Sequence, residues 1–223
     1  MSAEESLGKL RIEDWGLLDH CGARNLLERE GWRFVAAGDW AVVLADPAGL
    51  LAARISAFEL AYQHFVSLCE RMAGNRWLPA IHRAVDLEGG GHLTVMELLT
   101  PRQVPDDDSA DPVWSLTDDA DLGALRREVE RVDLANRQQV AWWGGVEVKG
   151  EHFMTAEDGQ LKLVDPFYVA GAVLFGAVLE DYAQFCSVLP PSRHRYMLQI
   201  PHFSEAYASD QLRALRAATA VPV

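Results

Sequence analysis

The sequence predicts an α+β fold in which an antiparallel sheet is followed by a mainly helical half. Short apolar runs, punctuated by glycine and proline, fill residues 32–55 and 83–99. Apolar residues recur every three or four positions through most of the remaining chain. A stretch rich in proline and aspartate, residues 100–121, separates the two halves. A group of strands followed by a group of helices is typical of α+β proteins.

The first half is predicted to run from a helix into a sheet with one further helix. Residues 11–30 have leucines at helical spacing, and residues 32–55 contain three β-like runs separated by turn residues. Ser56 is placed to cap the next helix. The apolar face of that helix is predicted from residues three or four apart: Phe58, Tyr62, Phe65, Cys69 and Met72. Residues 83–99 have the strand–glycine turn–strand pattern of a hairpin.

The second half is predicted to be helical except for one small hairpin. A helix runs from Leu122 to about Val140, and the turn "AEDGQ" joins the strands "HFMT" and "LKLV". The second of these strands ends at Asp165, which is followed by Pro166. Proline fixes φ and directs the preceding residue away from the helical region, so Asp165 is expected to be a carboxylate held on a stiff turn.

Composition and charge exclude several classes of function. The chain has 223 residues and a net charge of −13, which disfavours binding to nucleic acid or anionic membranes. The scattered cysteines, Cys21, Cys69 and Cys186, predict free thiols in a reducing compartment. The start has no signal-peptide pattern, and the apolar run "YVAGAVLFGAVL" is too short to span a bilayer. We therefore expect a cytoplasmic protein, and the charge still allows a small anionic ligand held by a few local groups.

Three stretches carry a family resemblance: "LTVMELL", "EVKGEHFM" and "LKLVDP", in that order along the chain. Together with the element order from about residue 32 to about residue 169, they resemble the protein-kinase-like fold, in particular the compact members of bacteria and phages. The resemblance implies two lobes, a small antiparallel-sheet N-lobe with one helix and a reduced helical C-lobe, with ATP and Mg²⁺ or Mn²⁺ between them. It divides the chain into four segments: an N-terminal helical extension at 1–31, the N-lobe at 32–99, an acidic linker at 100–121 and the C-lobe at 122–223.

On the nucleotide side, the resemblance assigns adenine binding to the stretch after the fifth strand. Met96 takes the gate position, and the hinge residues are Glu97, Leu98 and Leu99. The glycine-rich loop of the family is reduced to Gly38, with the bulky Trp40 nearby. Arg54 stands where the family has a lysine on strand three. Its helix partner would be Glu59 or Glu70, and the sequence does not choose between them.

On the catalytic side, two family positions are kept and two are altered. Lys149 matches the lysine that neutralises the transferred phosphate, while Glu147 replaces the catalytic aspartate. His152 replaces the asparagine that is the second metal ligand, and Asp165 resembles the metal-binding aspartate. The Asp-Pro sequel to Asp165 is shared with compact phage-type members, whereas other kinases have Asp-Phe-Gly. After Asp165 only 58 residues of the sequence remain, and no Ala-Pro-Glu segment is visible.

The altered positions favour a binding module over an enzyme. Glutamate for aspartate moves the carboxylate outward by one methylene, and a displacement of about 1 Å can cost about a hundredfold in rate. Histidine for asparagine replaces an oxygen ligand with nitrogen, which Mg²⁺ disfavours and Mn²⁺ tolerates better. In an arbitrary protein, moreover, Asp-Pro is most often a plain turn and a lone histidine is most often a hydrogen-bonded one.

Two hypotheses follow from the resemblance. In the first, the protein is a pseudokinase that binds a protein partner, with or without nucleotide, and the acidic loop from Asp106 to Asp121 is a candidate contact. In the second, it is a divergent ATP-dependent Ser/Thr protein phosphotransferase. A small-molecule kinase of the aminoglycoside type is a weaker third reading, because the His-Gly-Asp opening of that catalytic loop is missing.

Overall fold

The computed structural model describes Gly8 and residues 15–103 and 112–220. Residues 104–111 of the predicted acidic linker, and part of the predicted N-terminal extension, lie outside the described residues. The described residues form a mixture of α-helices and antiparallel sheets, which confirms the α+β class.

The first half contains a five-stranded sheet with the order β1-β2-β3-β5-β4. Its elements are a short 3₁₀ turn Trp15–Leu17, α1 (His20–Arg29), β1 (Arg33–Ala37), β2 (Ala41–Ala45), β3 (Leu51–Ser56), α2 (Tyr62–Arg71), β4 (Ile81–Asp86) and β5 (His92–Glu97). Strands β1, β2 and β3 form an antiparallel meander, in which Val43 pairs with both Ala36 and Arg54. The predicted three strands and the later hairpin are therefore confirmed.

The second half adds short strands and helices. Its elements are β6 (Thr100–Pro101), α3 (Ala120–Asn136), β7 (Trp143–Val146), β8 (Phe153–Thr155), β9 (Leu161–Leu163), β10 (Phe167–Val169), α4 (Gly171–Glu180), α5 (Tyr182–Val188) and α6 (Ser209–Thr219), with 3₁₀ turns between α5 and α6. The predicted hairpin is β8 paired with β9. The pairing of β7 with β10 was not predicted.

Three aspartates define helix starts. The side chains of Asp19, Asp119 and Asp181 accept backbone N–H bonds at the first turns of α1, α3 and α5. Each satisfies a donor that the helix itself leaves unpaired.

The prediction that Ser56 caps α2 is wrong. The helix begins later, at Tyr62, and its N-cap Ala61 offers no side-chain bond. The Ser56 hydroxyl instead lies between two backbone carbonyls, 2.5 Å from that of Phe58 and 2.9 Å from that of Trp40, which share its one proton. Phe58 consequently lies in the connecting loop rather than on the helix. The hydroxyl therefore bonds to backbone carbonyls in a buried turn. Sequence spacing alone does not distinguish a serine in this role from a serine that caps a helix.

The chain divides into two compact units. The first comprises Met1–Glu59, Arg83–Val95 and Gly171–Val223, and the second comprises Leu60–His82 and Met96–Ala170. In the first unit, α1 packs on β3 and the core is lined by large apolar side chains that include Trp15, Leu27 and Leu93. In the second unit, α3 packs on α2 and buries the four predicted residues of its apolar face: Leu122, Leu125, Val129 and Val132.

Among the described residues, no helix combines the length and the apolar character that a bilayer crossing requires.

Candidate functional site

The turn that stands in place of a glycine-rich loop is anchored by an aromatic side chain. Gly38 lies between β1 and β2, and its N–H donates to the carbonyl of Ala41 at 3.0 Å. Trp40 stacks on Phe175 with ring centroids 6.2 Å apart and contacts Phe58 at 6.1 Å. The carbonyl of Asp39 accepts from the N–H of His202 at 2.9 Å. This turn is thus fixed within the first unit by packing and by a backbone bond.

Arg54 forms a buried ion pair with Glu59. Nη1 of Arg54, on β3, donates to Oε2 of Glu59 at 2.9 Å, and the two side chains are only 11% and 6% exposed. Glu59 lies in the loop after β3, where its N–H donates to the carbonyl of Gly90. Glu70, the other candidate partner, lies on α2 in the second unit and lines a pocket there. Of the two glutamates left open by the sequence, the structure pairs Glu59 with Arg54.

A buried histidine lies close to this ion pair. His92, on β5, is 5% exposed, and its Nδ1 lies 3.1 Å from the hydroxyl of Thr94. Burial lowers the pKa of His92, an effect that the nearby carboxylate of Glu59 partly opposes. The imidazole is therefore neutral near pH 7, and the Arg54–Glu59 pair supplies the local charges.

The predicted adenine-binding stretch coincides with the end of β5. Met96 is buried, and the hydroxyl of Tyr62 lies 3.9 Å from its sulfur. Glu97 is the last strand residue, its N–H donates to the carbonyl of Ala80, and its carboxylate accepts from the N–H of Ala80 at 2.8 Å. Leu98 is half-buried and Leu99 is buried. These four residues lie together, and the side chain of Glu97 is engaged with backbone.

A pocket of about 500 Å³ lies beside Glu97 in the second unit. The pocket is lined mainly by the end of α2 and the turn that follows it. Its charged lining residues include Glu70, Arg76 and Lys162. Nζ of Lys162 lies 3.8 Å from the carboxylate of Glu97. The positive charge of Lys162 and the negative charge of Glu97 therefore offset each other in the pocket wall.

The two candidate catalytic residues pair with each other. Nζ of Lys149 lies 3.3 Å from Oε1 of Glu147, and both side chains are partly exposed. The N–H of Glu147 donates to the carbonyl of Pro166 at 2.9 Å, which holds the start of this loop beside the Asp165 turn. The carboxylate attracts the lysine at this distance, and solvent weakens the attraction because both side chains are partly exposed.

His152 closes the same loop on itself. Its Nδ1 lies 2.8 Å from the carbonyl of Glu147 and 3.3 Å from the backbone nitrogen of Lys149. A carbonyl can only accept, so the shorter contact assigns a proton to Nδ1. The carbonyl of His152 accepts from the N–H of Val164 at 2.8 Å, which ties the end of the loop to the strand that precedes Asp165.

Asp165 has an uncommon backbone conformation. Its φ is +49°, in the left-handed region, although proline follows it. Asparagine and aspartate tolerate this region better than most residues, but it remains costly outside glycine. The sequence predicted a stiff turn, and the structure adds that the turn is strained. Strain of this kind concentrates at sites whose geometry the surrounding fold enforces.

The donor set fits a divalent cation poorly. The residues assigned to metal are one carboxylate, Asp165, and one imidazole, His152. Within the described ranges, no three histidine, cysteine, aspartate or glutamate side chains are grouped so that they could hold a metal ion. Mg²⁺ prefers oxygen ligands in an octahedral set, which an imidazole does not supply. The described residues therefore do not supply a complete ligand set for Mg²⁺.

Sequence reasoning missed several residues that shape this region. Asp133 of α3 accepts from the indole N–H of Trp143 at 2.8 Å and pairs with Arg137, so it holds β7 in place. Gly144 packs under the ring of Tyr168, where a Cβ would lie within 2.3 Å of ring carbon. The signal for both was the unusual sequence "WWGGV", whose adjacent glycines permit close approach of an aromatic ring.

Gly38 and Arg54 belong to the first unit, and the remaining predicted site residues belong to the second. Within the second unit, the backbone brings Glu147, Lys149 and His152 beside the Asp165 turn. No protein-family model and no curated protein matches this sequence.

Proposed function

We propose that this chain is a protein-kinase-like protein that has lost efficient phosphotransfer and acts as a protein-binding, regulatory module. One observation carries the proposal: Lys149 lies 3.3 Å from Glu147. Phosphoryl transfer needs uncompensated positive charge on the phosphate oxygens and a carboxylate free to orient the attacking hydroxyl. Here the groups at those two positions form an ion pair with each other.

Two further features support the loss of transfer. The turn with Gly38 is anchored through Trp40, whereas a phosphate-covering loop needs backbone that can close over its ligand. The second metal position holds the imidazole of His152, a nitrogen donor where Mg²⁺ prefers oxygen. Neither feature obstructs a role in binding another protein.

The first test measures transfer directly. The purified chain is incubated with labelled ATP and a mixed protein substrate, with Mg²⁺ and separately with Mn²⁺. We expect no phosphate incorporation above that of the Asp165→Asn variant. Incorporation that depends on metal, disappears in Asp165→Asn and persists in the turn variant Asp158→Asn would overturn the proposal and establish a phosphotransferase.

A second candidate, nucleotide binding without transfer, is favoured by the strained and fixed Asp165. Thermal unfolding with ATP, in the presence and absence of each metal, tests it. A ligand that binds only the folded state raises stability by about 2.7 kcal/mol at a hundredfold excess over Kd. Retained binding predicts a rise in Tm that Asp165→Asn reduces and Asp158→Asn does not. An unchanged Tm under all conditions would assign the protein to partner binding alone.

A further inference from the structure

Helix α4 is apolar on all sides, although only one side of it is buried. Its sequence is "GAVLFGAVLE", and it buries Leu174, Phe175 and Val178. It packs against α5 and α6, all within the first unit. A helix that is apolar around its whole circumference is normally covered on every side. The remaining side of α4 is exposed to solvent.

The exposed side forms a continuous apolar stripe. At 100° per residue, Ala172, Val173, Gly176 and Leu179 lie on the face opposite the buried one, and all four are exposed. Val173 is 62% and Leu179 is 45% exposed. Exposed apolar residues that are grouped on one helix face, rather than scattered, mark sites of association. We refer to these four residues as the α4 stripe.

The α4 stripe has a depression at its centre. Gly176 lies one turn after Ala172 and Val173 and one turn before Leu179. A Cβ added at Gly176 would meet no atom within 4 Å, so the space above it is open. An apolar side chain of a partner helix inserts into such a space between flanking side chains, as a knob enters a hole in packed helices.

The end of the stripe is acidic. Glu180, the one charged residue of α4, is exposed at its C-terminus, and Asp181 follows it. The C-terminus of a helix carries a partial negative charge that adds to the carboxylate of Glu180, whereas the carboxylate of Asp181 accepts the N–H of Gln184 at the start of α5. A partner that covers the stripe therefore meets apolar surface along its length and negative charge at one end.

We propose that the α4 stripe docks an amphipathic helix of a partner protein, with an apolar side chain over Gly176 and a lysine or arginine beside Glu180. The inference rests on the proposed function in that both make the chain a protein-binding module. The acidic end disfavours an anionic membrane as the occupant. The net charge of −13 disfavours a second copy of the same chain.

The probe for this inference is a fluorescently labelled helical peptide of about 18 residues, with leucine on one face and lysine on the other. Its matched control has glutamate in place of lysine. Fluorescence anisotropy is expected to show saturable binding of the lysine peptide and at least tenfold weaker binding of the glutamate peptide. In the Glu180→Lys variant, the preference for the lysine peptide over the glutamate peptide is expected to become smaller or to reverse.

Four variants locate the binding surface. Val173→Asp, Leu179→Asp and Gly176→Trp are each expected to weaken binding of the lysine peptide about tenfold or more, because they charge the stripe or fill its depression. Leu134→Asp, which charges a 68% exposed leucine on α3, serves as the control and is expected to leave binding unchanged. The thermal unfolding curve of each variant is recorded to establish that it is folded.

Several outcomes would overturn the inference. These are the absence of peptide binding, equal binding of the two peptides, or unchanged binding in both Val173→Asp and Leu179→Asp. Binding to neutral phosphatidylcholine vesicles without peptide binding would identify a lipid surface instead. A concentration-dependent dimer that Val173→Asp dissociates would identify a second copy. Because none of these measurements involves phosphate transfer, a failure here removes this docking surface without deciding the transfer test. Metal-dependent phosphate incorporation would overturn the proposed function without changing the result of the peptide experiment.

Discussion

Nη1 of Arg54 and Oε2 of Glu59 lie 2.9 Å apart and join the end of β3 to the loop that follows it. Only five positions separate the two residues, so the pair closes a short loop rather than linking strand and helix. Both side chains are largely buried. Removing one partner of such a pair leaves an uncompensated buried charge, which costs far more than the pair itself contributes.

We therefore expect Arg54→Met to destabilise the protein by about 2–4 kcal/mol, as measured by urea unfolding. The double variant Arg54→Met with Glu59→Leu should recover much of that loss, because no buried charge remains. Arg24→Met removes a guanidinium from an exposed pair with Glu28 and should cost less than about 0.5 kcal/mol. Equal losses in Arg54→Met and Arg24→Met would show that the Arg54 pair is not buried in solution.

The stability of the protein should fall between pH 7.5 and pH 5.5 because of His92. Burial lowers its pKa in the folded chain, where Glu59, Arg54 and Asp86 face it, while the unfolded chain keeps a value of about 6.5. The unfolded state thus binds more protons below about pH 6.5, and the free energy of unfolding is lost as pH falls through that value.

Urea unfolding across this pH range measures the effect of His92. His92→Gln, which does not titrate, should flatten the pH dependence, while His82→Gln, at an exposed position on β4, should leave it unchanged. His20 and His194 also have pKa values lowered by burial, so part of the dependence should remain in His92→Gln. An identical slope in wild type and His92→Gln would contradict the prediction.

Two glycines should respond to alanine in opposite directions. Gly176 lies within α4 with open space around it, so Gly176→Ala should stabilise the protein by about 0.5–1 kcal/mol. At Gly91, a Cβ would lie 2.6 Å from the backbone oxygen of Ser56, and Gly91→Ala should destabilise by about 2 kcal/mol or more. Thermal unfolding of the two variants side by side tests the pair of predictions, and a loss of stability in Gly176→Ala would show that the helix face is covered.

Three substitutions distinguish the effect of the left-handed backbone at Asp165 on stability from the effect of its carboxylate. Asp165→Ala and Asp165→Gly both remove the side-chain interactions, but glycine adopts a φ of +49° without strain. Asp165→Gly should therefore be more stable than Asp165→Ala by about 1 kcal/mol in urea unfolding. Asp165→Asn, which keeps tolerance of this conformation, should lie closest to wild type. A less stable glycine variant would argue against the left-handed turn.

The sequence was most informative where structure is local. The meander β1–β3 and the buried face of α3 follow from turn residues and from apolar spacing, and both were predicted. The pairing of β7 with β10 was not predicted, because "WWGGV" has no alternating pattern and the β8–β9 hairpin separates the two strands in the sequence. Short strands of this kind form because tertiary contacts hold them, not because of their own propensity.

The candidate site shows the same limit. Spacing placed Glu147, Lys149, His152 and Asp165 in order, and backbone bonds do bring the loop and the Asp165 turn together. Spacing did not choose between Glu59 and Glu70, since the choice depends on where α2 begins. Nor did it indicate that Lys149 faces Glu147, because the direction of two flexible side chains is decided by surroundings assembled from distant residues.

The anchoring of the β1–β2 turn has a consequence for the order in which the chain folds. Trp40 completes its packing with Phe175, and Asp39 bonds to His202, so the beginning of the first unit is joined to the last part of the sequence. A chain emerging from the ribosome cannot make these contacts until His202 has been synthesised, and contacts between such distant segments slow folding. Premature termination before Gly171 would leave the first sheet without its closing segment, and such a truncated product should be a substrate for proteolysis.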